Sequence, residues 1–262
     1  MSKSNAKKPK RIIIISVIVA FMAIIAIFWH NPYEISTANV LAKPSFSHLL
    51  GCDNLGRDIF SRVVLGGVFS IGIAFLSVAL STIVGTIIGS IAGYYNGIYD
   101  SIITMLTEAL MSIPAIVIAL GVMVVLKPGF ASIIVAIFLM YLSRVINMVR
   151  GLVNKEKHME YVVAAHTYGL SDWRVMFVHI LPNIKKNILI NFTTGFAGAI
   201  LTEAGLGYLG LGIQPPYPTL GNILNQSQSY FLSSPCFTIA PGVAIVFIVY
   251  QMNKIEKKRK RF

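Results

Sequence analysis

The chain has 262 residues, 55% hydrophobic and only 12% charged, with a net charge of +12. Soluble domains carry about 25% charged residues, so this composition excludes a large separate soluble domain and points to an all-α integral membrane protein. The positive charge does not signal nucleic acid, because it collects beside apolar runs with no aromatic-basic platform; it reads as contact with an anionic lipid bilayer.

Residues 1–11 are a basic N-terminus containing Lys3, Lys7, Lys8, Lys10 and Arg11. The apolar run 12–29 resembles a signal peptide in length. It ends in Trp29-His30-Asn31-Pro32, not in a small-residue cleavage site, so it predicts a retained first span. Residues 30–68 form a long connecting segment. Further spans are predicted at 69–94, 101–126, 130–149, 188–208 and 237–253, each near the roughly 20 residues that cross a bilayer. About six spans put both termini on one side. On that arrangement 18 of the 22 Lys and Arg residues fall with the termini, counting Arg144 near the end of the span 130–149, which makes that side cytoplasmic. The loop 150–187 and the basic tail 254–262 then face the cytoplasm, and 30–68 and 209–236 face outside. Cys52 and Cys236 are too few for a disulfide framework; they read as unpaired thiols, with a bridge between them the alternative.

Gly85, Gly89, Gly93 and Gly97 recur every fourth residue, a smooth ridge that lets helices approach closely. Internal packing is the expected use, a sliding surface in a gated pore the alternative. Glu108 and Glu203 are ionisable groups in spans, where burial costs on the order of 3 kcal/mol or more. They are candidate functional residues, or else they specify packing through hydrogen bonds. Pro114 predicts a kink.

Glu160–Asn183 reads as a short helical hairpin. Its first helix puts Tyr161, Ala165 and Tyr168 on one face. Gly169 supplies a left-handed cap, Ser171 caps a second helix, and Asp172 suits that helix's positive end. Trp173, Met176, Phe177, Ile180 and Leu181 form an amphipathic stripe, and Pro182 stops the helix. Such a hairpin, with one apolar face, needs something to dock against.

Gly205-Leu-Gly207-Tyr-Leu-Gly210 matches a dinucleotide-binding pattern but lacks the strand before it. It reads as the glycine-rich end of a span, leading into Gln214-Pro215-Pro216-Tyr217-Pro218. The five histidines are scattered, with no metal-ligand spacing. No phosphate-binding loop and no nucleophile motif occurs, so no cofactor or metal is expected, nor ATP hydrolysis by this chain alone.

Four blocks resemble the permease subunit of bacterial ABC importers, in the dipeptide/oligopeptide/nickel group. They are His48-Leu-Leu-Gly51-Cys-Asp53 through Gly56-Arg57-Asp58 to Ser61-Arg62, then Gly89 through Gly93-Tyr94 and Gly97 to Asp100. The third is Glu160 through Ala164-Ala165 and Gly169 to Pro182-Asn183, similar to the EAA loop, and the last runs from Leu201-Thr-Glu203-Ala to Gly212-Ile-Gln214-Pro-Pro216. The resemblance implies that the hairpin is a coupling helix seated on a cytoplasmic ATPase. Ala164, Ala165 and Gly169 match the core of its motif, with Gly169 expected to bring two helices close without a Cβ. Glu160, Tyr161 and Ser171 match subgroup positions. Val163 stands where the general pattern has glutamate. Thr104-Met105 replace a usual Met-Arg pair, Glu108 replaces an aspartate, and the tail departs from the family's.

The resemblance further implies a second homologous permease, two ATP-binding subunits and an extracytoplasmic solute-binding protein, assembled in the bacterial inner membrane. It leaves the cargo as peptides, nickel or a metal chelate, and assigns no substrate-binding residue. The competing class is a stand-alone proton-coupled carrier using Glu108 and Glu203, although no internal repeat supports it.

Overall fold

The computed structural model describes residues 30–259. The expected basic N-terminus 1–11 and first span 12–29 lie outside these residues, as does the last part of the basic tail. The described chain is helical, without strands. Its main helices are α1 (Ile59–Tyr95), α2 (Gly97–Ser112), α3 (Ala115–Leu126), α4 (Phe130–Glu156), α5 (Glu160–Thr167), α6 (Asp172–Tyr208), α7 (Leu220–Ser227) and α8 (Pro235–Arg259). Four of them (α1, α4, α6 and α8) are long and apolar enough to cross a membrane, and α2 with α3 makes a fifth candidate, bent by 97°.

That bend falls where Pro114 stands. Proline cannot donate an N–H, and it disfavours the helical conformation in the residue before it. Ile113 is accordingly extended, and Pro114 caps α3. The single span expected at 101–126 is therefore two helices. The span expected at 69–94 is longer than predicted, because α1 starts ten residues earlier at Ile59, where the Asp58 carboxylate accepts the Ser61 N–H at 2.8 Å. The span expected at 130–149 runs on to Glu156. The basic residues at its end do not stop it, since long cationic side chains suit the negative end of a helix.

The chain falls into two compact units. One comprises the described residues up to Ile71 together with Gly207–Val246. Its centre is a buried charge cluster. Asp53, fully buried, receives the Leu55 and Arg57 backbone N–H groups and the Arg57 guanidinium at 2.6 Å. Arg62, also buried, lies 3.4 Å from the same carboxylate. Both arginines donate to Gln226 Oε1 of α7. The Asp-x-x-x-Arg-Asp-x-x-x-Arg spacing of the first block thus builds a knot of paired charges, as buried charges require, completed from outside the block by Gln226 and Pro32 O and with Arg62 Nε facing Asp53 beyond hydrogen-bond geometry. Cys52 and Cys236 are free thiols. Burial, helped by Asp58 and Asp53, pushes the Cys52 thiol up to about 11.

Gly207 at the end of α6 and Gly212 just beyond it also belong to this unit. A Cβ on Gly207 would lie 3.0 Å from Gly221 of α7, and one on Gly212 would lie 2.7 Å from Gly207. Within the dinucleotide-like pattern Gly207 is therefore a backbone-to-backbone crossing point, whereas Gly205 and Gly210 have nothing within 4 Å of a Cβ, and Gly210 takes φ +79°.

The other unit comprises Gly72–Leu206 and the chain from Phe247. Here the ridge of α1 lies on α4. A Cβ on Gly85 would meet the Val145 side chain at 2.8 Å, one on Gly89 the Ile146 carbonyl oxygen at 2.6 Å, and one on Gly93 the Arg150 carbonyl oxygen. Packing is the use of these three. Gly97 is not part of the ridge: it begins α2 with φ +61° and nothing near its missing Cβ. The Ser81 hydroxyl on α1 shares its one proton between Ser77 O at 2.8 Å and Phe138 O at 2.9 Å, tying α1 to α4.

Candidate functional site: the helical hairpin

The hairpin rests on a core shared by three helices. Val145, Val149 and Val153 of α4 meet Val162 and Ala165 of α5 and Val175, Ile180 and Ile184 of α6, with Tyr94 and Leu170 at the margin. All eight core residues are buried, so the hairpin is anchored to the long helices and does not hang as a free loop.

The turn is a Schellman motif. Leu170 N–H bonds to Ala165 O and Gly169 N–H to His166 O, with Gly169 at φ +76°. Only glycine adopts this conformation without penalty. No atom lies within 4 Å of a Cβ at Gly169. The expected reason for this glycine, close approach of two helices, is therefore replaced by its backbone angle. Ser171 takes the N-cap position with its carbonyl accepting from Val175 N–H at 2.9 Å, but its side chain makes no cap bond.

The second helix departs from the expected stripe. Val175–Ile180 is a π-helical segment, with more residues per turn than an α-helix. The buried residues are consequently Val175, Met176 and Ile180, while Trp173 and Phe177 are exposed and stacked with centroids 5.2 Å apart. On α5 the buried face is Val162 and Ala165; Tyr161 and Tyr168 face outward. Pro182 does not stop the helix. It sits just after the π segment, where the shifted hydrogen-bond register absorbs its missing N–H, and α6 continues to Tyr208.

The remaining predicted residues are distributed as follows. Glu160 is exposed in the first turn of α5, whose positive end it suits. Tyr161 donates its hydroxyl to Glu156 at 2.6 Å; burial and that bond raise its pKa. Ala164 is exposed, and Ala165 is buried in the shared core. Glu203 is buried on α6 and Glu108 is exposed on α2.

Two contacts were not anticipated. The first is Tyr94, at the end of α1. Its hydroxyl donates to Asp172 Oδ1 at 2.9 Å and lies 2.9 Å from His166 Nε2. A phenol has one proton to give, so His166 is the donor in the second bond, with its proton on Nε2. One hydroxyl thus clasps both arms of the hairpin across the Gly169 turn. Tyr94→Phe is expected to cost about 1 kcal/mol and to speed amide hydrogen exchange over 166–175 without changing that of α4. Unchanged exchange would show that the hydroxyl does not hold the two arms together. The second contact is the bidentate ion pair of Arg150 on α4 with Asp100 on α2, whose Nη2–Oδ2 arm is 2.8 Å. Sequence spacing alone gives no signal for it, since the partners are fifty residues apart; the Gly-Tyr-x-x-Gly-x-x-Asp block contained only one of them.

The comparisons with known proteins agree with this architecture. Residues 85–255 match the family model described as binding-protein-dependent transport system inner membrane component. The chain is 35% identical over 254 residues to the dipeptide transport system permease protein DppC of Alkalihalophilus pseudofirmus, covering 95% of this chain and 84% of that one. It is 37% identical over 210 residues to the glutathione transport system permease protein GsiD of Pectobacterium atrosepticum, covering 80% and 70%. A chain of the inward-facing MetNI methionine ABC transporter shares the fold, with a TM-score of 0.64 at 17% identity over 76% of this chain and 94% of that one. From the matched residues, the helical architecture and these relatives together, the chain belongs to the family of inner-membrane permease components of binding-protein-dependent ABC importers.

Proposed function

We propose that this permease component imports peptides, and that Glu160–Asn183 is the element through which a separate ATPase drives it. The cargo is inferred from relatives named for dipeptide, glutathione and peptide transport. The observation that carries the coupling assignment is the exposed aromatic tip on a rigid base. Trp173 and Phe177 stack in the open, with Tyr168 86% exposed nearby in sequence, while the residues beneath them are fully packed. An exposed apolar patch of this kind marks an interaction surface, and a rigid base is what transmits a push. Val163, also exposed, makes the contact apolar at a position where a carboxylate would make it ionic.

In this reading the hairpin and both termini face the cytoplasm, in keeping with the distribution of basic residues. Two ATP-binding subunits bind there, a second homologous permease completes the path, and a solute-binding protein delivers cargo from outside. ATP binding in the partners shifts a two-state equilibrium of the spans. Glu160, Tyr161, Ala164, Ala165, Gly169 and Ser171 shape the hairpin that makes the contact. Glu108 and Glu203 remain candidates for polar roles within the spans.

The test is Gly169→Val. A β-branched residue at φ +76° is strained by well over the roughly 1–2 kcal/mol of an ordinary side chain there. The turn opens while the spans stay inserted. Peptide uptake is expected to fall to background, with normal amounts of the subunit in the membrane. Uptake at the wild-type rate would sink the coupling assignment.

A further inference from the structure

Between α4 and α6, within the unit Gly72–Leu206, lies a cleft of about 340 Å³. Its polar wall is Arg144 from α4 with Asn187, Asn191 and Thr194 from α6; Met148 and Leu152 supply apolar surface. Asn187, Asn191 and Thr194 are spaced i, i+4, i+7 and therefore line one helix face. Arg144, Met148 and Leu152 are spaced i, i+4, i+8 and line the facing one.

Arg144 differs from Arg62 of α1 and from Arg150 of its own helix. Arg62 is matched to Asp53 and Arg150 to Asp100. Arg144 has no acidic partner among the described residues. It lies over the Tyr141 ring, 5.7 Å from the centroid, which steadies the guanidinium without neutralising it. By helix rise it is about 21 Å along α4 from Phe130, inside a membrane-spanning helix. An ionisable group there marks a substrate path unless a counter-ion meets it. The Asn187 and Asn191 amides also have no hydrogen-bond partner among the described residues.

The sign and number of these groups identify the ligand chemistry. A permanent cation repels metal ions. One cation flanked by neutral amides balances a single negative charge, and a planar guanidinium fork matches a carboxylate in two parallel hydrogen bonds. The volume is near the lower end of the roughly 300–1,000 Å³ of small-molecule sites, enough for the end of a short peptide and not for a long one.

We propose that this cleft binds the terminal carboxylate of the translocated peptide, with Arg144 as its counter-ion and Asn187 and Asn191 orienting it. The inference rests on the peptide-import reading. It adds a specificity determinant inside the permease, so that cargo is checked a second time after delivery.

The experiment uses the complete transporter in proteoliposomes, with radiolabelled dialanine and its C-terminal amide as probes. Wild-type uptake of neither probe refutes peptide import itself and, with it, this site. Given wild-type uptake of dialanine, Arg144→Gln is expected to raise its KM about tenfold or more, as loss of one charge-assisted contact does. Arg144→Lys recovers part of that loss, any uptake of the amide is little changed, and ATPase activity stays near wild type. Dialanine uptake with an unaltered KM in Arg144→Gln overturns the proposal. So does parallel loss of ATPase activity in a fully assembled variant, which marks a structural role. A lipid phosphate offers similar anionic chemistry. If the Arg144→Gln effect disappears in vesicles of phosphatidylcholine lacking phosphatidylglycerol, the arginine meets lipid and the proposal fails. Should Arg144→Gln not assemble, Asn191→Ala decides, with a several-fold rise in KM expected and an unchanged KM refuting the site.

Discussion

Asp53→Asn is expected to destabilise the protein by about 3–5 kcal/mol, the cost of leaving a buried ion pair with one partner. Arg57 and Arg62 both address the Asp53 carboxylate and are 4% and 1% exposed. The asparagine keeps one acceptor oxygen but removes the only charge that two guanidiniums share in that knot. The nearest other acid in the block, Asp58, already meets His48 Nδ1 at 3.0 Å and caps α1. Two buried cations then face each other without compensation. The measurement is thermal unfolding of the detergent-solubilised subunit, with limited proteolysis over 30–58 as a local probe. Wild-type melting and wild-type cleavage in Asp53→Asn would show that the knot contributes nothing to holding this segment.

Gly89→Val is expected to be comparably severe for a different reason. The first added carbon would sit 2.6 Å from the Ile146 carbonyl oxygen and 3.0 Å from Val149 Cβ. The nearest obstacle is backbone, so no rotamer change relieves it, and α1 and α4 must separate. Overpacking of this kind costs about 1–3 kcal/mol or more. Here it also strains the Ser81–Phe138 bond and the shared core beneath the hairpin. Gly151→Ala is the control. It lies on the same α4 with nothing within 4 Å of a Cβ, and it should be neutral or gain up to about 1 kcal/mol of helix propensity. Equal melting temperatures for the two variants would contradict the ridge packing.

The sequence made some of this architecture readable. Proline at 114 carries its own backbone restriction, so a kink is legible there, although the span 101–126 is read as one helix and the structure makes it two. The Gly85-Gly89-Gly93 spacing encodes a face, and the face packs as expected. Gly169 was legible as a left-handed position because turn chemistry is local. The polarity of the hairpin's second helix was not. An amphipathic stripe presumes about 3.6 residues per turn, and the π segment Val175–Ile180 breaks that period. The buried set became Val175, Met176 and Ile180, leaving Trp173 and Phe177 outside. Nor does any local pattern announce that Tyr94 clasps His166 and Asp172, because the three residues become neighbours only when α1, α5 and α6 pack. Long-range partners such as Asp100 and Arg150 are invisible for the same reason.

The π segment also bears on how this stretch tolerates change in length. An α-helix turns by about 100° per residue, and a π turn takes in about one residue more than an α turn, so the segment carries an extra residue with little change of phase between the hairpin tip and the long helix behind it. Removing one residue from 175–180 would let the α period return while Trp173 and Asp172 keep nearly their present bearing relative to Ile184. The same deletion further along α6 would swing the tip by about 100° and take Asp172 away from Tyr94. The π segment is therefore the one stretch of this arm with slack in length, and the regular turns behind it have none.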